Sequence, residues 1–551
     1  MFELLSNLVS DTTGPERRKV KQYLDATTRD TVYADLAKLL SWQLKRPQFL
    51  QETFDQYCVE DPLSHEKCWT AESFHSHIRS APSAGAISDA AIALLWRSFH
   101  FYAYHPFTRD SQQHANVKFD AFNRAALFTV YQCDSLLGTR ELDWYWRESS
   151  AFFRKAGFTR IFRSIAVPEN EFPEQQQEMD ITSSALSDAM DVLVMIGPQF
   201  IHSVPSESQL GSVARRLFAD GPAVSQRNVV MRKDILVLMD LLLRLRLQEE
   251  RWAGSYHFGT VVEAESARGD LTEAIVDCLT GRCNEQYVTI QQLSKQMDLM
   301  PHFLLRFQQL WAVLFQPTGA ADVSKLTVDK AGLTSIGGAI SLFAPHIIVD
   351  HAGRQRSDEQ DTRLTLEVAQ ISPDSRDTTL RRLRQSISDD STAHIVLFTT
   401  TADINTPKTI IGAYLPSPST TEVTNAHLPI KLETPHIIFQ LQPSFRLLQW
   451  AKRQMSRADL ITSGGEVSAD VIVPEGDSEL PYRIGDPLGQ GVGLRVDSRK
   501  RAVTFMKTVG TCYVEMPVGG EDDFEDSWDV TVQNAHMNIF TLPSVENNNN
   551  R

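Results

Sequence analysis

His394-Ile-Val-Leu-Phe-Thr-Thr-Thr401 and Thr409-Ile-Ile-Gly-Ala-Tyr-Leu415 decide the fold of this chain. Each is a short β-branched and aromatic run bounded by turn-forming residues, the pattern of a strand buried on at least one face. His436-Ile-Ile-Phe-Gln-Leu441, Gly493-Leu-Arg-Val496, Val503-Thr-Phe505 and Met537-Asn-Ile-Phe-Thr-Leu542 repeat it, and Ile347–Val349 adds a strand-like run near the start. Helices are expected only around Leu380–Ile387 and Phe445–Gln454. From about Thr318 onward the chain therefore predicts a mostly antiparallel β domain.

Upstream the period changes. Ala86 to Phe101 places Ile92, Leu94, Leu95 and Phe99 at helical spacing behind a Ser88 start signal, and Arg232 to Leu247 does the same with Ile235, Leu238, Met239, Leu242 and Leu245. Thr182–Ile196, Leu271–Leu279 and Met300–Phe315 follow suit, separated by polar loops such as Ala81–Gly85, Val167–Gln176 and Val204–Gly211. The expected class is α+β: an all-helical region over residues 1–105 and 106–320, a β domain over 321–543, and a frayed tail over 544–551.

Composition narrows the function classes. A chain of 551 residues with 42% hydrophobic and 22% charged residues has room for several packed units. Its formal charge of −15 is the wrong sign for coating nucleic acid or anionic lipid. Cys58, Cys68, Cys133, Cys278, Cys283 and Cys512 are scattered, and Met1 to Ser10 lacks the features of a secretory start, so free thiols in a reducing compartment are expected. Asp240, Arg244 and Arg246 interrupt the longest apolar stretch, so no transmembrane segment is expected.

In the helical region, Val117-Lys-Phe-Asp-Ala-Phe122 and Val288-Thr-Ile-Gln-Gln-Leu293 each run from a polar loop into a helix, like the second half of an EF-hand loop. With Val117 at loop position 8, Asp110, Gln112 and His114 fall on ligand positions, Ala115 on the turn glycine and Ala121 on the bidentate carboxylate. In the other loop Gly281, Cys283 and Glu285 take the first ligand positions and Gln292 the last. A hard cation wants six to eight oxygens, several of them charged. We expect paired EF-hand-like helices kept as scaffolding and no calcium.

Ile484-Gly-Asp-Pro-Leu-Gly-Gln-Gly-Val-Gly-Leu494 is the densest glycine segment. No Gly-Lys-Ser/Thr follows, Leu494 stands where a dinucleotide fingerprint needs its third glycine, and a strand rather than a helix comes next. Gly485, Gly489, Gly491 and Gly493 therefore read as structural turn residues rather than a nucleotide site. Cys58, His65 and Cys68, or Cys278 with Cys283, lack zinc-knuckle spacing, and Leu333-Thr-Ser-Ile-Gly337 lacks the leading glycine of a nucleophile elbow. His346, His394 and His436 lie beside strand-like runs as structural histidines, and Glu521-Asp-Asp-Phe-Glu-Asp526 reads as a solvated loop. No catalytic constellation, cofactor site or metal site emerges.

The β region resembles the TLDc domain. Leu380-Arg-Arg-Leu-Arg384, His394-Ile-Val-Leu-Phe398 and Thr409-Ile-Ile-Gly-Ala-Tyr414 are similar to that family's succession of helix, buried strand and hydrophobic-Gly-Ala-aromatic strand. His436 to Pro443 resembles its Phe-x-Leu-x-Pro strand, and Tyr482–Asp486 with Gly491–Asp497 its glycine hairpin. One branch of that family carries degenerate EF-hand-like helices directly before the domain, which Pro301-His-Phe-Leu-Leu305 and Leu310–Phe315 resemble. Asp486 replaces a family glycine, the closing Glu-Val-Trp-Gly is represented only by Asn534–Phe540, and Phe2 stands where some members carry a myristoylated glycine. The resemblance implies a β-sandwich in a non-enzymatic, cytoplasmic protein of eukaryotes, peripheral at the vacuolar or lysosomal membrane. It further implies a V-ATPase partner and a link to oxidative stress resistance. A general scaffold or trafficking adaptor and an enzyme of unrecognised type are the alternatives.

Overall fold

The computed structural model describes residues 17–41, 47–62, 64–81, 84–107, 116–131, 133–140, 144–145, 150–168, 181–197, 205–219, 228–253, 256–263, 269–281, 286–317, 333–344, 348–350, 363–365, 393–400, 408–415, 423–424, 431–432, 436–450, 471–472, 482–485, 493–497, 502–507, 513–516, 527–533 and 535–542. The protein mixes helix and sheet, with the helices concentrated in the first part of the chain and the strands in the second.

The chain begins with α1 (17–26), α2 (Arg29–Ser41) and α3 (Pro47–Tyr57), then β1 (Val59–Glu60), β2 (Lys67–Trp69) and α4 (Ala71–Ser80). Next come α5 (Asp89–Ala103), β3 (Val117–Lys118), α6 (Phe119–Thr129), β4 (Thr139–Arg140), β5 (Trp144–Tyr145), α7 (Ser150–Ile165) and β6 (Val167–Pro168). The Ser88 hydroxyl accepts from Ala91 N at the start of α5, as its position ahead of the apolar period predicts. One aromatic cluster holds these helices together: the Trp69 ring lies 4.5 Å from Phe122 and stacks on Phe99 and Phe315, with His77 tilted 4.5 Å from Phe315. Buried aromatics bring large apolar area and ring-edge attraction to one place.

The second helical stretch comprises α8 (Ile181–Ile196), α9 (Glu207–Ala219), β7 (Asn228–Met231), α10 (Arg232–Arg244), β8 (Leu245–Ala253), β9 (Tyr256–Val261) and α11 (Gly269–Thr280). It closes with β10 (Tyr287–Thr289), α12 (Ile290–Lys295), α13 (Phe303–Leu314) and α14 (Leu333–Phe343). α14 lies beyond Thr318, where a β domain with helices elsewhere is expected, and α9 begins inside Val204–Gly211, which reads as a loop; both expectations are corrected, as are two more. The region is not purely helical, and the helix expected to run to Leu247 stops at Arg244, where Leu245 turns to ψ 122° and opens the β8–β9 hairpin. Long-range partners break it. The buried Arg306 guanidinium donates to the Leu242 and Leu245 carbonyls, and Gly338 of α14 packs so close that a Cβ there would lie 2.4 Å from Leu243 O.

Beyond α14 the chain supplies β11 (Ile348–Asp350), β12 (Arg363–Thr365), β13 (Ala393–Thr399), β14 (Ile410–Leu415), β15 (Val423–Thr424), β16 (Lys431–Leu432), β17 (Ile437–Gln442) and β18 (Arg446–Trp450). Then follow β19 (Val471–Ile472), β20 (Tyr482–Gly485), β21 (Gly493–Asp497), β22 (Ala502–Lys507), β23 (Tyr513–Glu515), β24 (Trp528–Gln533) and β25 (His536–Leu542). An eight-stranded sheet has the order β11-β12-β25-β13-β14-β17-β18-β23, and a five-stranded sheet the order β19-β20-β21-β22-β24. They pack face to face through Val396, Phe398, Ile411, Ile438 and Leu448 on one side and Ile484, Leu494, Val503, Phe505 and Val532 on the other. Strand alternation sends Ile395, Leu397, Tyr414, Phe439 and Leu447 to the opposite face, into the core shared with the helices. Phe343 of α14 closes that face, 5.1 Å from Phe439 and 6.1 Å from Phe445.

A further expectation is overturned within this sheet. Phe445–Gln454 reads as a helix, yet Arg446–Trp450 is β18, paired antiparallel with both β17 and β23. Leu447 and Leu448 are buried on opposite faces, which a strand between two cores allows and an amphipathic helix does not explain. The helix expected at Leu380–Ile387 lies outside the described residues.

The last strand is internal. β25 pairs with β13 from Ala393↔Leu542 to Thr399↔His536 and with β12 on its other side. A chain ending at Gln533 should lose hydrogen-exchange protection throughout β13 and β14, because removing a central strand exposes two unpaired edges. Retained protection in those strands would show that the sheet does not depend on its closing strand.

Candidate functional site

Four antiparallel strand residues lead directly into helices. In the first pair Trp69 of β2 faces Val117 of β3, and α4 and α6 begin two residues beyond each; in the second Val230 of β7 faces Val288 of β10, with α10 and α12 placed the same way. Counting four residues on from each gives Ser73, Ala121, Asp234 and Gln292. These are the positions from which a cation loop of this register would present its bidentate ligand.

Each is committed elsewhere. Ser73 is buried, with its N–H donating to the Thr70 hydroxyl that caps α4. Ala121 is buried beside Phe122 and has no oxygen to offer. Gln292 turns its side-chain oxygen back to Thr289 N at 2.8 Å while its own N–H donates to Thr289 Oγ1, a complete capping box. Asp234 accepts from Arg97 Nη1 at 2.9 Å. Asp110 lies outside the described residues, among which no group of three or more His, Cys, Asp or Glu is placed to hold a metal ion. Sequence reasoning found Ala121 and Gln292 but missed Ser73 and Asp234. The signals were present as Trp69-Thr70 ahead of α4 and Val229-Val230 ahead of α10.

The glycine segment sits between two strands. Gly485 and Gly493 face each other across the β20–β21 pair, and Gly493 adopts φ 133°, a conformation open to glycine and strained for other residues. Gly489 and Gly491 lie outside the described residues. His394 and His436 are both buried, on β13 and at the start of β17, with β14 running between those strands. Alternation puts His394 on the side of Val396 and His436 on the side of Ile438, toward the inter-sheet core. His346 is outside the described residues.

A dense charged group among the described residues is also sealed. Asp188 of α8 accepts from Arg163 of α7 and lies 3.4 Å from Arg160 Nε, while Arg160 reaches Asp191 at 3.7 Å and His105 lies 3.9 Å from Asp188. Burial works to raise the Asp188 carboxyl, but the Arg163 and Arg160 guanidiniums outweigh it and hold the group below the usual carboxylate range. Burial pushes His105 down to about 3 against the pull of Asp188. Arg160, Asp188 and Asp191 are each at most 5% exposed and His105 is fully buried, so the group ties α7 to α8 from inside the core. At the sandwich corner Lys507 Nζ and Trp528 Nε1 both donate to Glu515 Oε2, at 2.9 and 3.0 Å, with Arg446 stacked 4.3 Å over the Trp528 ring.

No family model, no curated protein and no solved structure matches this chain.

The buried histidines set an acid limit. Burial lowers His77 from 6.5 to about 4 and His105 from 6.5 to about 3. An unfolded chain therefore binds more protons than the folded one between those values, so stability is complete above pH 6.5 and falls as the pH drops toward 3. Each histidine should contribute about 3 kcal/mol or more to that fall. Thermal melts from pH 7 to pH 4 should show it, and His77→Phe should flatten the slope. An unchanged slope would mean that His77 does not titrate on unfolding in this range.

Proposed function

We propose that this chain is a non-catalytic interaction protein of TLDc type. Its degenerate EF-hand-like pairs form a platform without calcium, and its two-sheet domain docks on a large protein complex. The partner we propose is the V-ATPase at the vacuolar or lysosomal membrane, approached from the cytoplasm, with the stress-resistance role that the resemblance implies.

One observation carries this reading. The runs that bear the resemblance supply neighbouring strands, which supports it: His394–Phe398 lies on β13, Ile410–Tyr414 on β14 and Ile437–Gln442 on β17, adjacent in one sheet, and the glycine hairpin is β20–β21 in the sheet facing it. The paired strand-to-helix transitions before them support the EF-hand-like part. An enzyme needs a nucleophile, base or metal set in mutual reach, and the chemistry-bearing groups described above are instead used in caps, packing and internal ion pairs.

Affinity capture of the intact chain from cytosol and from vacuolar membranes tests the reading. V-ATPase subunits should be recovered by the wild type and lost with Gly493→Val, which strains the β20–β21 hairpin. Recovery of V-ATPase by neither extract would overturn the partner assignment. Calorimetric titration should show no micromolar calcium binding; binding that Asp110→Asn abolishes would overturn the degenerate-loop reading.

A further inference from the structure

Of the residues at the bidentate position, Asp234 alone is charged, and it is 9% exposed in the first turn of α10. Its partner comes from the other strand-paired unit. Arg97, in the middle of α5, donates from Nη1 to Asp234 Oδ2 at 2.9 Å and to the carbonyl of Ile165, the last residue of α7, at 2.7 Å. The guanidinium thus lies between a helix C-terminus, where the macrodipole is negative, and a carboxylate that complements a helix N-terminus. Both neighbours favour a positive charge at this point.

We propose that Arg97 is a built-in replacement for the cation: it supplies from within the chain the positive charge that a bound metal would place at Asp234, and so fixes α10 against α5 and α7. This rests on the EF-hand-like reading of the loops. A covalently tethered charge cannot dissociate, so the orientation of α10 is constitutive, and the helical half is a rigid platform rather than a cation-operated switch. Both bonds leave the single nitrogen Nη1, whose two hydrogens point in fixed directions within the guanidinium plane, an arrangement that a lysine ammonium on a flexible stem reproduces less well.

A double-mutant cycle in the full chain tests this, read by hydrogen exchange in the first turn of α10 and by thermal melting. Arg97→Gln and Asp234→Asn should each speed exchange there about tenfold. The double variant should be no worse than the worse single one, and Arg97→Lys should recover part of the protection. Additive effects of the two changes, or unaltered exchange in both single variants, would overturn the proposal. Should Arg97→Gln fail to fold, Arg97→Lys alone decides: local exchange faster in α10 with an intact cooperative melt supports the clamp, and unchanged exchange refutes it. Micromolar calcium binding by the wild type would instead count against the loop reading, a different outcome from an additive cycle.

Discussion

The end of α10 governs how the two parts of the molecule meet. Arg306 is fully enclosed, and burial lowers its guanidinium to about 10. Removing a cation from water costs several kcal/mol unless polar partners replace the water. Here they are the Leu242 and Leu245 carbonyls at the negative end of α10. Those carbonyls would otherwise be orphaned where the helix stops, and the Arg306 Nη2 group supplies their donor. Arg244 secures the same point by donating to Ala86 O and Val262 O at 2.8 and 2.7 Å. From that fixed break the chain enters β8, which lies against β11, while β9 packs on α13. The sheet is thus tied to the helices in part through a hairpin whose start is fixed by Arg306, Arg244 and the close approach of Gly338.

The same arrangement explains which elements are legible in the sequence. Strands β13, β14 and β17 are readable because their runs are buried on both faces, and β25 because Met537 and Phe540 mark it as strand-like, patterns set by local composition. α5 is readable because Ser88 caps it with a side chain three residues from its partner. The end of α10 is not readable, since apolar spacing continues through Leu245 and Leu247 while the stop is imposed by Arg306, 61 positions away. β18 is hidden for a related reason: Leu447 and Leu448 serve different cores, and adjacent leucines carry no period of their own.

The candidate site is legible by halves. Ala121 and Gln292 announce themselves by lacking a carboxylate where one is needed. Asp234 does the opposite, since an acidic residue in a first turn is ordinary and only the structure shows that Arg97 holds it. The four positions meet the same geometric demand by packing, capping or ion pairing, and each solution uses groups that a ligand would have to displace. Displacing Gln292 would undo the cap of α12, and displacing Arg97 would leave Asp234 buried without its charge partner. Scaffold and ligand therefore compete for the same atoms.

The layering also decides which sheet face is left open among the described residues. Both faces of the eight-stranded sheet are occupied, one by the smaller sheet and the other by the shared helical core. The outer face of the five-stranded sheet is not so covered among the described residues: Arg495, Asp529, Thr531 and Gln533 are exposed on it or at its edge, with Thr504 and Thr531 hydroxyls 3.0 Å apart. The corner that joins the sheets is stiffened by Glu515, which ties Lys507 and Trp528 of the smaller sheet to β23 of the larger. The described part of that outer face is thus a polar, mixed-charge surface on a rigid support. A surface of this kind favours contacts made by complementary charge and hydrogen bonding over contacts made by buried apolar area.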